Sequence, residues 1–225
     1  MEIMEIKCAS ALVPSRLPEL RYCLNPYVGC EHGCKYCYVP SVLRDEDLAL
    51  KWGRLVKVKT NLLEVLEAEL ETRGVGSVGV GTATDPYQPV EARLELTRRS
   101  LKLLSLKSFP ASIQTKSDLI LRDADLVASG PFDVGVTITT LDEELARKLE
   151  PGAPSPEARA QILKELSSRG VETWLFYGPV IPGVNDDEAT MAGLVKLAKE
   201  TKSKLIYDKL NLKRFVLRSL RSFLE

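Results

Sequence analysis

The chain has 225 residues, 44% of them hydrophobic and 28% charged, a composition that excludes disordered, collagen-like and coiled-coil chains and predicts one globular domain over 1–225. Lys plus Arg total 31 and Asp plus Glu total 31, so no global positive field gathers polyanions, and a nucleic-acid partner would need a localised patch. No run approaches the about 18 apolar residues of a membrane span, and residues 1–5 lack the basic start and apolar middle of a signal peptide; no membrane partner and a cytoplasmic location are expected.

Taken in chain order, the first feature is a glycine-flanked cysteine loop at 29–38. Five cysteines, an odd number, do not form a disulfide framework, and a reducing cytosol would hold them as thiols. After the loop, β-branched runs alternate with amphipathic stretches, which predicts about six strand–helix units around a parallel sheet. A strand at 55–60 leads to Asn61 as helix N-cap, with Leu62, Leu63, Val65, Leu66 and Leu70 at helical spacing and Gly74 as the stop. A buried strand at 77–81 precedes a helix at 90–106, and Pro110 breaks the pattern. The next unit is a strand at 113–115 with a helix at 118–128.

The longest β-branched run, 132–140, comes before a helix capped by Asp142. Pro151, Pro154 and Pro156 then interrupt, and a helix at 157–169 closes at Gly170. Residues 173–177 are a strand, 186–201 a helix, 204–210 a strand and 212–225 a short basic C-terminal helix, with Arg214, Arg218 and Arg221 at helical spacing. This order predicts an open or closed parallel α/β barrel, with a doubly wound sheet as the rival. Function then belongs at strand C-termini, where Thr82, Thr84, Asp85, Lys116, Thr139, Thr140 and Asn211 gather; the plainer alternative is that these are caps and turn residues.

Cys30-Glu31-His32-Gly33-Cys34-Lys35-Tyr36-Cys37 has the spacing C-x3-C-x2-C. Three thiolates on one loop bind three irons of a [4Fe–4S] cube and leave one iron for a ligand that is not cysteine. Gly29 and Gly33 permit a tight turn around such a group. The alternatives are a zinc site completed by Cys23 or His32, and three unligated thiols.

With Tyr36 directly before Cys37, this spacing resembles the signature of the radical S-adenosylmethionine superfamily. Asn25-Pro26-Tyr27-Val28-Gly29-Cys30, Tyr36-Cys37-Tyr38, Gly81-Thr82-Ala83-Thr84-Asp85-Pro86-Tyr87-Gln88-Pro89, Thr115-Lys116-Ser117 and the stretch 137–156 resemble the subgroup related to spore photoproduct lyase. The resemblance implies a partial (βα)6 TIM-like barrel of parallel strands, with a [4Fe–4S] cluster on Cys30, Cys34 and Cys37. It also implies S-adenosylmethionine as cofactor, cleaved reductively to a 5′-deoxyadenosyl radical that abstracts hydrogen, with ferredoxin or flavodoxin as electron donor.

Residue by residue, it places Tyr36 against the adenine, Thr84 at the methionine moiety and Lys116 on the carboxylate. Thr137 and Thr139 fall at the ribose and Ile181 on the base, where Pro179-Val180-Ile181-Pro182-Gly183 is similar to an adenine-binding segment and Asp186 caps the next helix. Arg159 is a further cofactor contact, or a partner of Glu157 or Glu165. No catalytic side chain is assigned: where photoproduct lyases carry a radical-quenching cysteine, this chain has Thr82.

The expected substrate is macromolecular, nucleic acid or protein, because the chain ends soon after the sixth unit and a short barrel leaves its mouth wide. Lys213, Arg214, Arg218 and Arg221 would line a nucleic-acid backbone or simply form a solvated face. Cys8 and Cys23 are candidate hydrogen donors, or Cys23 a buried strand residue. A non-enzymatic iron–sulfur or zinc-binding protein is the alternative from another class.

Overall fold

The computed structural model describes residues 1–224, so Glu225, the last residue of the helix expected at 212–225, lies outside the described residues. The strands are β1 (Glu2–Ile6), β2 (Val13–Pro14), β3 (Tyr22–Leu24), β4 (Tyr27–Val28), β5 (Leu55–Lys59), β6 (Val78–Val80), β7 (Ala111–Thr115), β8 (Phe132–Thr137), β9 (Glu172–Val180) and β10 (Lys204–Lys209). The helices are α1 (Glu46–Leu50), α2 (Leu62–Thr72), α3 (Glu91–Leu94), α4 (Leu96–Leu106), α5 (Ala124–Ser129), α6 (Glu143–Leu149), α7 (Pro156–Ser168), α8 (Glu188–Glu200) and α9 (Arg214–Leu224), with 3₁₀ turns at Val39–Ser41 and Asp118–Asp123.

The main sheet has the order β10-β9-β8-β7-β6-β3-β2. Each pair from β3 to β10 is parallel and only β2 runs antiparallel to its neighbour. Six parallel strands joined by outer crossovers bring all their C-terminal ends to one edge, the site-bearing edge of α/β sheets. The ladder does not close, so the barrel is partial, as expected.

One member of the expected six is exchanged. The strand at 55–60 is β5, which pairs with β1 in parallel and β4 antiparallel in a separate three-stranded sheet. The first barrel strand is instead β3, directly before the cysteine loop; three residues are too few for a period-2 pattern to register.

Side-chain alternation divides the sheet. Val78, Val80, Ile113, Val134, Val136 and Leu175 are buried with Leu101, Leu104, Ile162, Leu163, Leu166 and Leu194 of the surrounding helices in one core, where each large aliphatic contributes about 1.5–3 kcal/mol. The inner face carries small, polar or aromatic residues: Ser112 Oγ donates to Asp133 at 2.7 Å, and Trp174 Nε1 to the same carboxylate at 2.7 Å.

Local details depart from the sequence expectations. Glu95, at φ +51°, splits the helix expected at 90–106 into α3 and α4. The one at 118–128 begins as a 3₁₀ turn. Asn61 stands at the N-cap position of α2 as expected, but its side chain makes no cap bond; its amide spans the backbone of Cys8, accepting from N at 2.8 Å and donating to O at 3.0 Å. Asp187, not Asp186, caps α8 by accepting from Thr190 N at 2.8 Å, while Asp186 accepts from Gly183 N. Asp142 caps α6 and Gly170 takes φ +79° after α7, both as expected. Among the described residues no helix is long and apolar enough to cross a membrane.

A Cβ on Gly135 would lie 2.1 Å from the Trp174 ring, which covers it. Gly135→Ala is therefore expected to destabilise by about 1–3 kcal/mol through overpacking, lowering the melting temperature by several degrees. An unchanged thermal transition would show that the ring is free to move aside.

Candidate functional site

At the C-terminal edge of the sheet lies one pocket. Cys30, Cys34, Cys37, Tyr36 and Tyr38 line it on the loop side, and Thr82, Thr84, Asp85, Gln114, Lys116, Thr137, Phe176, Asp208 and Asn211 on the strand side. All three cysteines of the motif face it, whereas Cys8 and Cys23 do not. Among the described residues no three His, Cys, Asp or Glu side chains converge closely enough to share one metal ion, and His32 turns its Nδ1 toward Asp85 at 3.3 Å. Three thiols spread around a wall suit the corners of a polynuclear cluster better than a tetrahedron about one zinc.

The loop is irregular, so its backbone groups need outside partners. On one side, Thr84 Oγ1 donates to Gly29 O at 2.5 Å. Gln88 bridges the residues flanking Cys30: its Nε2 donates to Thr84 Oγ1 at 2.8 Å and Gly29 O at 3.3 Å, and its Oε1 accepts from Glu31 N at 2.9 Å. Glu31 Oε1 in turn accepts from Val90 N at 2.5 Å. On the other side, Lys35 N donates to Leu149 O at 2.8 Å and Gly152 N to His32 O at 3.0 Å. Gly29 sits at φ +97°, where a Cβ would also meet Leu55 O at 2.5 Å, so only glycine fits.

Asp85 accepts from Thr115 Oγ1 and Lys116 N at 2.7 Å each and from Tyr87 N at 2.9 Å. Burial pushes its carboxyl up, but His32, the Thr115 hydroxyl and Lys116 outweigh this and hold it down at about 2. Burial raises the thiols of Cys30, Cys34 and Cys37, the last to about 12, so metal binding there releases protons.

Tyr36 donates its hydroxyl to Glu150 Oε1, whose other oxygen pairs with Arg159 Nη1 at 2.5 Å in a fully buried ion pair. Arg159 also donates from Nε to Pro154 O at 2.9 Å and from Nη1 to Thr137 O at 3.2 Å. Arg159 thus pairs with Glu150 rather than Glu157 or Glu165. Lys116 Nζ lies 5.9 Å from the Tyr36 ring centroid. Burial opposes its charge, yet Cys34, Glu150 and Asp85 prevail and raise its pKa.

Of the residues expected to hold a cofactor, Tyr36, Thr84, Lys116 and Thr137 therefore line the pocket. Thr139 is buried beyond the end of β8, and its hydroxyl has no hydrogen-bond partner. Arg159 stands behind Tyr36. Ile181 packs with Cys34, Tyr36, Leu149, Val216 and Leu220, and is tied by Asn185, which accepts from Ile181 N at 2.6 Å and donates to Thr139 O at 2.7 Å. Sequence reasoning missed Gln88, Glu150 and Asn185; Gln88 and Glu150 carried a signal, lying inside the run that ends at Pro89 and the stretch 137–156, and Asn185 carried none. The last helix is also more than a solvated face, since Val216 and Leu220 pack on the cysteine loop and Phe215 N donates to Ser41 Oγ at 3.2 Å.

Residues 24–195 match the family model of the Radical SAM superfamily, and the chain belongs to this superfamily. It is 36% identical over 189 residues to an uncharacterized protein of Methanocaldococcus jannaschii, covering 84% of this chain and 71% of that protein. An uncharacterized protein of Mycobacterium tuberculosis is also 36% identical, over 194 residues, covering 81% of this chain and 57% of its own length. In fold, it is similar to spore photoproduct lyase solved with bound AdoMet and dinucleoside spore photoproduct, with TM-score 0.74 at 14% identity over 98% of this chain and 66% of that one. The chain thus spans little more than half of the mycobacterial relative and about two thirds of the lyase.

Glu150→Ala leaves Arg159 buried without its counter-charge, an expected loss of about 3–5 kcal/mol in denaturant unfolding. The double change Glu150→Leu with Arg159→Met removes both charges and is expected to lose less. Equal losses would mean that the charges do not govern stability there.

Proposed function

We propose that the chain is a cytoplasmic radical SAM enzyme that holds a [4Fe–4S] cluster on Cys30, Cys34 and Cys37 and binds S-adenosylmethionine beside it. The observation that carries this reading is Lys116. Its ammonium stays charged, faces the pocket beside the three thiols and has no carboxylate within 4 Å among the described residues. A buried ammonium with acids nearby but none in contact suits a ligand that brings a carboxylate to it.

The chemistry supplied at such a site is one-electron cleavage of the sulfonium carbon–sulfur bond, giving methionine and a 5′-deoxyadenosyl radical that abstracts hydrogen. The chain's own residues bind and orient. Lys116 takes the carboxylate, Thr84 Oγ1 keeps a lone pair for the amine, and the Tyr36 ring, fixed by Glu150, offers an apolar face to the base. Thr137 suits the ribose, while Thr139 and Ile181 support the pocket from behind its lining, Ile181 in one cluster with Tyr36, and Arg159 holds the Glu150 that fixes the ring. Thr82 accepts from Asn25 Nδ2 at 3.0 Å and offers no thiol hydrogen, so dimer repair by a cysteine-quenched route is not part of this reading. The electron comes from an external carrier such as ferredoxin or flavodoxin.

Tyr38, Asp208, Lys209 and Asn211 line the pocket and are exposed. An open rim lets a macromolecule present one group to the site, which supports a nucleic-acid or protein substrate. Salt-sensitive binding of an oligonucleotide would favour the first, and co-purification of one polypeptide the second.

Anaerobic reconstitution is expected to load about four irons per chain and, with dithionite and S-adenosylmethionine, to yield 5′-deoxyadenosine. Cys34→Ala should abolish that product. Lys116→Met should keep its iron and raise the KM for S-adenosylmethionine by about tenfold or more, the loss of a charge-assisted contact. Bound zinc without iron, or iron with no nucleoside product, would overturn the reading.

A further inference from the structure

α9 separates the cysteine loop from solvent on one side. Its inner face, Val216 and Leu220, is packed with Cys34, Tyr36 and Ile181. Its outer face carries Arg214, Leu217, Arg218 and Arg221, one contiguous stripe at i, i+3, i+4 and i+7, all exposed. None of these arginines has an acidic partner among the described residues, so the stripe carries its full positive charge into solvent. In a chain of zero formal net charge, the segment from Lys204 to Arg221 holds six Lys and Arg against one Asp. The other elements near the loop begin with acids, Asp45-Glu46-Asp47 at α1 and Asp142-Glu143-Glu144 at α6.

We propose that the outer face of α9 is the docking surface for an acidic one-electron carrier protein of the flavodoxin or ferredoxin kind; this rests on the radical SAM reading above. The pocket is where nucleotide and substrate sit, so an electron has to enter through a protein wall, and α9 is a single helix about 10–12 Å across. The face has the make-up of a protein docking surface rather than of a phosphate track: Leu217 is 53% exposed among the arginines, and Val42, next to the 3₁₀ turn on which α9 packs, is 56% exposed. Arginine and apolar side chains are what a protein partner uses, while leucine gains nothing from a phosphodiester backbone. Cationic steering of an acidic carrier suits the small, short-lived encounters typical of redox partners. In the step itself one electron leaves the carrier, which is oxidised by one unit, and is accepted at the three-cysteine site, which is reduced by one; no covalent bond to either protein is made or broken.

The test compares the reconstituted holoprotein with Arg214→Glu/Arg218→Glu/Arg221→Glu and with the corresponding triple Gln variant. Calorimetry measures binding of oxidised flavodoxin, and stopped flow follows oxidation of flavodoxin hydroquinone and, separately, of reduced ferredoxin. At about 50 mM salt the Glu variant is expected to lose at least tenfold in flavodoxin binding and in electron-transfer rate with at least one carrier, the Gln variant less, and the differences to shrink toward about 0.5 M salt. Dithionite-driven 5′-deoxyadenosine formation should stay within about twofold of the parent. The proposal is overturned if both carriers reduce the Glu variant at the parental rate, or if dithionite is slowed as much as the carriers, which would make α9 a mere support of the loop. Loss of single-stranded oligonucleotide binding with carrier reduction intact would equally overturn it and assign the face to nucleic acid. A parent that makes no 5′-deoxyadenosine even with dithionite refutes the enzymatic reading instead, whatever calorimetry says of the face.

Discussion

The conformation of residues 29–38 depends on hydrogen bonds that the loop cannot make for itself. Its internal backbone bonds are few, Gly33 N to Cys30 O and Cys37 N to Cys34 O among them. Gly29 O, Glu31, His32 O, Lys35 N and the Tyr36 hydroxyl find partners in two turns that belong to different crossovers, one at 84–90 after β6 and one at 149–152 after α6. The first turn reaches the loop because β3 and β6 are neighbours in the sheet, although 53 residues of other structure separate them in the chain. Strand order therefore fixes where the thiols point. A buried donor or acceptor left unmet costs about 1–3 kcal/mol, so the Gln88 side chain, which meets groups on both sides of Cys30, counts for more than an ordinary core residue.

Charge is arranged around the same loop with one cation left over. Asp85 is matched by His32 and by the Thr115 and Lys116 donors, and Glu150 by Arg159 and Tyr36. A buried ion pair of this kind is a weak source of stability, because desolvation consumes most of the Coulomb gain. Its structural effect is positional: with Glu150 on its hydroxyl, the Tyr36 ring is held beneath the Lys116 ammonium. In a desolvated pocket the remaining positive charge acts with little screening.

Much of this was legible in the sequence. Helix caps at Asp142 and Gly170 and five of the six expected parallel strands express local rules and appear where the rules put them, and the three-cysteine spacing turns its thiols into one pocket. What was not legible is long-range. Arg159 looked like a partner for Glu157 or Glu165 because these are the acids nearest to it on its own helix, but its true partner, Glu150, lies across a proline-rich turn that folds back. Asn61 has the chemistry of a cap, yet the segment at Cys8, just past the end of β1, offers its amide two bonds instead of one. The exchange of β5 for β3 has the same origin, since a β-branched run marks a strand but not the sheet it joins.

The inner face of the sheet sets how far anything can reach into the barrel. Gly135 and Gly178 leave space that the rings of Trp174 and Phe176 occupy, the two meeting edge to face at 6.2 Å. Trp174 lies level with Gly135, and Phe176 one layer higher with Thr137, where it already borders the pocket. The aromatic pair is thus a floor, and the space above it opens only toward the strand C-termini. Depth is decided by two glycine–aromatic contacts, and the thiols of the cysteine loop line the same pocket. A side chain at Gly135 or Gly178 would displace the rings, while the loop's own backbone partners lie in the turns at 84–90 and 149–152, so the two walls of the pocket are held by different contacts.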